Sequence, residues 1–157
     1  MKIGRRALGY FLAATFLALT FTAVAQPDPD SGRSLEGAWQ VSITLRDGLP
    51  FCAPAGALAT RDGLVLAESC YASEGAGYGV WARRDNGQFA ITFTGNSFGP
   101  DNTVNGKYKV RATVTLAPNR NSISGHYKTD FFDVGGHPAG STTGTVSGVR
   151  IPLEPGD

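Results

Sequence analysis

The stretch YGVWARRDNGQFAITFTG, residues 78–95, carries the clearest structural signal in the sequence. Two runs rich in aromatic and β-branched residues, 78–84 and 88–95, flank the dipeptide Asn86-Gly87. Apolar and polar residues alternate along these runs, which is typical of strands with one buried face. Asn-Gly favours a type I′ turn, because that turn needs a positive φ at both central residues. The stretch therefore predicts a tight antiparallel hairpin.

The rest of the chain from Leu35 onward repeats this pattern. Gly and Pro interrupt short runs of Val, Ile, Thr, Phe and Tyr, and no stretch has a convincing helical periodicity. Six further strands are predicted, over residues 37–45, 55–60, 64–69, 107–117, 122–132 and 140–151. Consecutive strands can pair as hairpins, so no helical crossover is needed.

Eight sequential antiparallel strands leave two unpaired edges unless the sheet closes on itself. A barrel of eight strands has no edges, and its interior is either packed or holds one small ligand. We therefore predict an all-β fold, an eight-stranded antiparallel up-and-down barrel. A two-sheet β-sandwich is the alternative, because the strand count fits both architectures.

Charge provides a check on the pairing of the sixth and seventh predicted strands. If Leu116 faces Ile123, then Ala112 faces Tyr127 on the core side of the sheet. On the opposite side Asp130 meets a lysine directly across the ladder. Opposite charges on the outer face are what a correct register should bring together.

The N-terminus predicts a secretory signal peptide over residues 1–25. Lys2, Arg5 and Arg6 precede an uncharged apolar run that ends in Ala-Val-Ala, the kind of site that a signal peptidase cleaves. We expect cleavage before Gln26 and export to a periplasm or to the extracellular space. An uncleaved membrane anchor is the alternative, because the run is just long enough to span a bilayer.

The mature chain is expected to be one mildly acidic domain. Cleavage would remove three of the 14 basic residues and none of the 13 acids, which leaves 132 residues with a net charge of −2. We divide them into a disordered linker (26–34), a barrel domain (35–151) and a disordered tail (152–157). A mildly acidic surface argues against nucleic acid as a partner, since basic patches drive that binding. No membrane contact is expected after cleavage, and the oligomeric state is left open.

Cys52 and Cys70 are the only cysteines, and in an exported chain they predict one disulfide. They fall nearly opposite each other around the turn at 61–63, so the bond would tie the mouth of that hairpin. Closing a loop of about twenty residues would contribute about 3 kcal/mol in the loop-entropy account. Free thiols are the alternative. A zinc site is not expected, because no histidine lies near the pair.

Three short motifs carry a resemblance to a known group of proteins: LEGAW (35–39), GVW (79–81) and FFDVGG (131–136). Together they resemble small exported bacterial barrels of lipocalin-like or allene-oxide-cyclase-like shape. Gly-x-Trp on a first strand is also a lipocalin motif, in which the tryptophan closes the floor of the barrel. The resemblance implies a packing role for Trp39, with Arg150 as the candidate for the basic residue above it. It implies a fold rather than a particular activity.

One acidic turn could hold a catalytic or metal site. Asp130, Asp133 and His137 provide two carboxylates and a base, or three ligands for a divalent ion. The turn interpretation accounts for them separately, with Asp133 capping backbone amides and Gly135 and Gly136 supplying positive φ. We interpret the segment as a turn. No catalytic residue, metal site or cofactor is predicted, since nucleophile-elbow and nucleotide-binding motifs are absent from the sequence.

The barrel interior is the remaining candidate site. The side chains predicted to point inward and to line a ligand cavity are Trp39, Val41, Tyr78, Phe89, Ile91, Phe93, Tyr127 and Phe131. Apolar walls with a few polar groups, here the hydroxyls of Tyr78 and Tyr127, are the usual composition of a small-molecule site. Small residues at Ala55, Ala57, Ala112 and Gly125 would leave room, so we favour a cavity over a filled core.

Three functions fit these expectations. The first is a non-enzymatic exported barrel that binds a small apolar molecule, or a partner at its rim. The second is a barrel cyclase or isomerase that acts on a small hydrophobic substrate with help from a polar group such as Tyr127. The third is a structural envelope protein without a ligand, which a filled core and an exposed apolar patch would favour. We expect no ionisable cavity group other than tyrosines, and this favours binding.

Overall fold

Eight strands make up the regular secondary structure of the part of the chain that the structure describes. A computed structural model describes residues 33–48, 50–69 and 73–155, with the backbone alone for 50–54. In these ranges no helix has the length and hydropathy that a membrane crossing requires. The strands are β1 (Gly37–Leu45), β2 (Pro50–Ala59), β3 (Leu64–Ala67), β4 (Gly77–Arg83), β5 (Phe89–Phe98), β6 (Val104–Leu116), β7 (Ser122–Asp133) and β8 (Pro138–Arg150). All eight predicted strands are present, with ends shifted by a few residues.

The strands form a closed barrel in sequence order. Each strand pairs antiparallel with its neighbours in the chain, and β8 pairs with β1 to close the sheet. The closing ladder runs from Trp39 opposite Arg150 to Leu45 opposite Gly144. The predicted up-and-down barrel is therefore confirmed, and the sandwich alternative is wrong, because the β1–β8 ladder leaves no free edge.

The ladder between β6 and β7 has the predicted register. Leu116 lies opposite Ile123, Ala112 opposite Tyr127, and Asp130 opposite a lysine of β6. The ion pairs of Asp130 are made to two other cations, however: Lys128 Nζ lies 2.9 Å from its carboxylate, and the guanidinium of Arg111 also donates to it. Lys128 lies two residues before Asp130 on β7, and Arg111 lies diagonally across the ladder on β6. The long side chains of both reach the Asp130 carboxylate, whereas the directly opposite lysine makes no such pair.

Six hairpin turns in the described residues share one geometry. They span residues 45–48, 60–63, 84–87, 99–102, 117–120 and 133–136. In each, the amide of the fourth residue donates to the carbonyl of the first over 2.9–3.2 Å. The fourth residue has a φ between +60° and +86°. This is the three-residue hairpin loop that ends in a left-handed residue.

The predicted type I′ turn at Asn86-Gly87 is therefore wrong in its type. Of the two residues, Gly87 alone has a positive φ, at 77°. The hairpin itself forms as expected, with the Arg84 amide donating to the Gln88 carbonyl over 2.7 Å. A loop with one left-handed residue imposes less backbone strain than a loop with two, and asparagine then occupies an ordinary turn position.

A packed floor closes one end of the barrel. Its buried side chains are Leu35, Trp39, Ala59, Phe89, Val114, Leu116 and Ile123. The Arg150 guanidinium stacks over the Trp39 ring at 4.3 Å from the ring centroid. The same guanidinium donates to the main-chain carbonyls of Arg120, at 3.1 Å, and of Glu36. Trp39 is thus packed in the floor, with the Arg150 guanidinium over its ring.

Several predictions fall outside the described residues. They concern the signal peptide (1–25), most of the linker (26–34), Cys70 and the side chain of Cys52. Signal cleavage and the disulfide therefore stay predictions. At the end of the linker, Ser34 accepts a hydrogen bond from the Glu36 amide over 3.0 Å. The described part of the tail has no regular secondary structure.

We expect Arg120→Gly to stabilise the protein. Arg120 occupies the left-handed position of its turn with a φ of 61°. That conformation costs a non-glycine residue about 1–2 kcal/mol, and the greater freedom of glycine in the unfolded chain offsets part of the gain. The free energy of unfolding in urea should rise by up to about 1 kcal/mol. Asn102→Gly, at the equivalent position, should gain less, because asparagine tolerates this backbone; the reverse order would contradict the argument.

The outer ion pairs of Asp130 predict an acid-sensitive contribution to stability. Lys128 first and Arg111 second lower the pKa of this carboxyl below its usual 3.8. A lowered folded-state pKa means that the contribution is present above the unfolded pKa and is lost as the pH falls through the folded value. Asp130→Asn should therefore lower the melting temperature at pH 7 and have little effect well below pH 3.8. Asp62→Asn, on an exposed turn, is the charge-matched control; an equal loss at both pH values would contradict the assignment.

Candidate functional site

The barrel contains a cavity of about 140 Å³ above its packed floor. An engineered apolar cavity of about 150 Å³ stays dry and binds benzene, so this space suits a ligand near the size of one aromatic ring. The cavity extends from Leu35 and Trp39 at the floor to Glu74 at the opposite end. The cavity is partly open to solvent, and we call its end at Glu74, opposite the floor, the mouth.

Alternation along the strands builds the cavity wall. Every second residue of a strand points to the interior, so each strand contributes a short apolar row. The rows that line the cavity include Val41 and Ile43 of β1, Ala55 and Ala57 of β2, Ile91 and Phe93 of β5, Val110 and Ala112 of β6, and Tyr127, Thr129 and Phe131 of β7. The alanines keep the middle of the barrel unfilled, as their size predicts.

The structure brings six of the eight predicted cavity residues to the wall. These are Trp39, Val41, Ile91, Phe93, Tyr127 and Phe131. Phe89 instead lies in the floor, where it is fully buried and meets Trp81 edge-on at 5.7 Å between ring centroids. Its role is therefore packing below the cavity.

Tyr78 was predicted on the wrong face of β4. Its side chain is 64% exposed on the outside of the barrel, and Val80 points the same way. Gly77 and Gly79 take the inward positions instead. A Cβ on Gly77 would lie 2.5 Å from the Phe93 ring, and one on Gly79 would lie 2.8 Å from the Cβ of Phe93. Backbone and ring atoms of β5 lie directly in front of these two positions, so only glycine fits at each, whereas Trp81 points inward further along the same strand.

The Tyr108 side chain lies at the mouth of the cavity, where it contacts both the backbone and a neighbouring ring. Its hydroxyl donates to the Gly75 carbonyl over 2.6 Å, and its ring meets Phe93 edge-on at 6.4 Å between centroids. Burial first, and the nearby Glu74 carboxylate second, raise the pKa of Tyr108 to about 12. This hydroxyl is therefore neutral at physiological pH, and its proton is already used in a hydrogen bond.

The hydroxyl of Tyr127, unlike that of Tyr108, is unpaired among the described residues. Its residue is 7% exposed, and its hydroxyl oxygen has no hydrogen-bond partner within the described part of the chain. Burial raises the pKa of Tyr127, and the nearby Thr142 hydroxyl opposes that shift without reaching hydrogen-bond geometry. A buried polar group without a partner costs about 1–3 kcal/mol, so its retention in the wall of a cavity requires an explanation.

The mouth is polar and acidic. Ser69 donates to the Glu74 carboxylate over 2.6 Å, and the Gly56 amide donates to Glu68 over 3.2 Å. No lysine, arginine or histidine is among the described residues that line the cavity. The expectation that tyrosines are the only ionisable groups at the cavity is therefore wrong. Glu68 continues the alternation of β3 to the outer face, where its carboxylate lies beside Gly56, whereas Glu74 lies in a loop that no periodic pattern describes.

The acidic turn after β7 is a turn, as interpreted. The Asp133 carboxylate accepts from the His137 amide over 2.9 Å, and its other oxygen lies 3.2 Å from the His137 ring. Gly136 has the positive φ, whereas Gly135 does not. Asp130 points to its own cations instead of joining this pair. Across the described ranges, no three His, Cys, Asp or Glu side chains are grouped as a metal ion would need.

Comparisons with family models, with curated proteins and with solved structures returned no match to this chain. The functional argument therefore rests on the geometry of the cavity.

Two tyrosine substitutions should change stability in opposite directions. Tyr127→Phe removes an unpaired buried hydroxyl and should raise the free energy of unfolding by about 1 kcal/mol. Tyr108→Phe removes the hydrogen bond to Gly75 and should lower it by about 1 kcal/mol. Urea denaturation of the two single variants beside the wild type measures both effects. A similar loss of stability in both variants would show that the Tyr127 hydroxyl has a partner in solution.

Proposed function

We propose that the protein is a non-enzymatic binder of a small apolar molecule, which it holds in the barrel cavity. The observation that carries this proposal is the cavity itself, with apolar walls, few polar groups and an opening at the mouth. Its small volume limits the ligand to about the size of one substituted ring. We place this activity in a periplasm or outside the cell, on the strength of the N-terminal sequence.

The floor of the barrel supports a lipocalin-like assignment within this proposal. A tryptophan on the first strand, with an arginine from the last strand stacked over it, is the arrangement that the Gly-x-Trp resemblance implies. The floor closes one end of the barrel, so a ligand enters and leaves through the mouth.

The arrangement of the cavity favours binding over catalysis by a cyclase or isomerase. Such an enzyme needs a group in contact with the substrate that exchanges a proton near neutral pH. Burial raises the pKa of both Tyr108 and Tyr127, so their hydroxyls stay neutral. Glu74 lies at the mouth and accepts a hydrogen bond from Ser69. Neither tyrosine is prepared to act as a base.

A purely structural role has one observation in its favour. Leu58 lies opposite Leu66, and Leu64 opposite Val80, on the outer face of β2, β3 and β4. Exposed apolar patches of this kind are typical of contact surfaces. A filled core would also favour the structural hypothesis, but the small alanines leave the interior open, so we favour the ligand.

Toluene binding tests the proposal directly. Trp39 and Trp81 are the two tryptophans of the chain, and both line the cavity, so their fluorescence should change when toluene binds. Ala112→Leu places a larger side chain into the cavity and should weaken toluene binding by about tenfold or more. Ala82→Leu adds the same atoms on the exposed face of β4 and should leave binding unchanged.

Calorimetry with the same three proteins gives the affinities independently of fluorescence. The proposal is wrong if the wild type does not bind toluene. It is also wrong if Ala112→Leu and the wild type bind toluene equally, because the ligand would then sit elsewhere.

A further inference from the structure

The hydroxyl of Tyr127 is a hydrogen-bond donor built into the wall of the cavity. Tyr127 is only 7% exposed, and its hydroxyl oxygen has no hydrogen-bond partner among the residues that the structure describes. Water and ligands are the two kinds of group that satisfy such a donor inside a cavity.

The neighbouring strands hold the Tyr127 ring in place. Tyr127 lies opposite Ala112 on β6 and opposite Gly144 on β8. A Cβ on Gly144 would lie 2.9 Å from the ring carbon Cε1, so the ring rests against the glycine backbone. A ring fixed between two strands offers its hydroxyl in one position, which reduces the entropy lost when a ligand binds.

The charges around the cavity determine which ligands are excluded. Glu74 places a carboxylate near the Tyr108 hydroxyl at the mouth, and the described lining contains no cation to balance an anionic ligand. Moving an unpaired carboxylate or phosphate into an apolar cavity has a large desolvation cost. Because burial raises the pKa of Tyr127, its hydroxyl keeps its proton and donates. An anion therefore meets the Glu74 carboxylate and neutral hydroxyl donors, with no positive charge in the described lining.

We infer that the cavity selects a neutral molecule with an apolar body and one hydrogen-bond-accepting oxygen, such as a carbonyl, that accepts from Tyr127. This inference rests on the proposed function and adds the ligand class to it. A buried donor that is left unpaired by the wrong ligand discriminates more strongly than an apolar wall does. Tyr127 is thus the specificity-determining residue of the cavity.

Three probes of the same shape test this inference: acetophenone, α-methylstyrene and benzoate. Each has one phenyl ring with one substituent. The substituent is an acetyl group in acetophenone, a methyl-substituted alkene in α-methylstyrene and a carboxylate in benzoate. At neutral pH the wild type should bind acetophenone about tenfold tighter than α-methylstyrene, because the carbonyl satisfies the Tyr127 hydroxyl. Benzoate should bind most weakly of the three.

Tyr127→Phe should remove the preference for acetophenone while α-methylstyrene still binds, which also shows that the variant is folded. Tyr78→Phe is the matched control and should keep the preference, because Tyr78 lies on the outer face of β4 and is 64% exposed. The infrared band of the acetophenone carbonyl gives a readout of the hydrogen bond itself. It should shift to lower frequency on the wild type and stay unshifted on Tyr127→Phe.

The outcomes separate the two proposals. If α-methylstyrene and acetophenone bind the wild type equally, the cavity binds apolar molecules but the inference about Tyr127 is wrong. If Tyr127→Phe keeps the preference, another group is the donor and the inference is also wrong. If benzoate binds best, the stated ligand class is overturned. If none of the probes binds the wild type, the proposed function fails and the inference fails with it.

Discussion

The pairing of β1 with β8 is the constraint on which the rest of the structure depends. It places Trp39 opposite Arg150, and the arginine then stacks on that ring and donates to the main-chain carbonyl of Arg120. One side chain thus connects the first strand, the last strand and the turn between β6 and β7. Without this ladder the sheet would have two open edges, and the interior would not be enclosed.

Inside the closed barrel, packing divides into a filled floor and an open upper part. Phe89 and Val114 are fully buried in the floor, whereas Ala57 and Ala112 leave the middle of the barrel empty. Neighbouring strands compensate for one another in volume, because large residues of β5 and β6 face glycines of β4. A cavity in this protein is therefore a consequence of where alanine and glycine lie in the ladder, and no loop has to form it.

The polar groups of the cavity differ in how they are satisfied, and this difference carries the functional argument. Tyr108 uses its hydroxyl to hold the Gly75 backbone, while Tyr127 leaves its hydroxyl unpaired in an apolar wall. Features that reduce stability, such as an unpaired buried polar group, are found most often at functional sites. There a ligand can supply the missing hydrogen-bond partner. The Glu74 carboxylate at the mouth adds a charge preference to that site.

The sequence by itself determined the strands, their order and the register of β6 on β7, because alternation, turn residues and paired charges are local signals. It also identified most of the cavity wall, including Tyr127. Only the tertiary structure decided which face of β4 points inward, since alternation defines two faces and Phe93 on the next strand selects between them. The same holds for Glu74, which lies in a loop at the mouth where no periodic pattern applies.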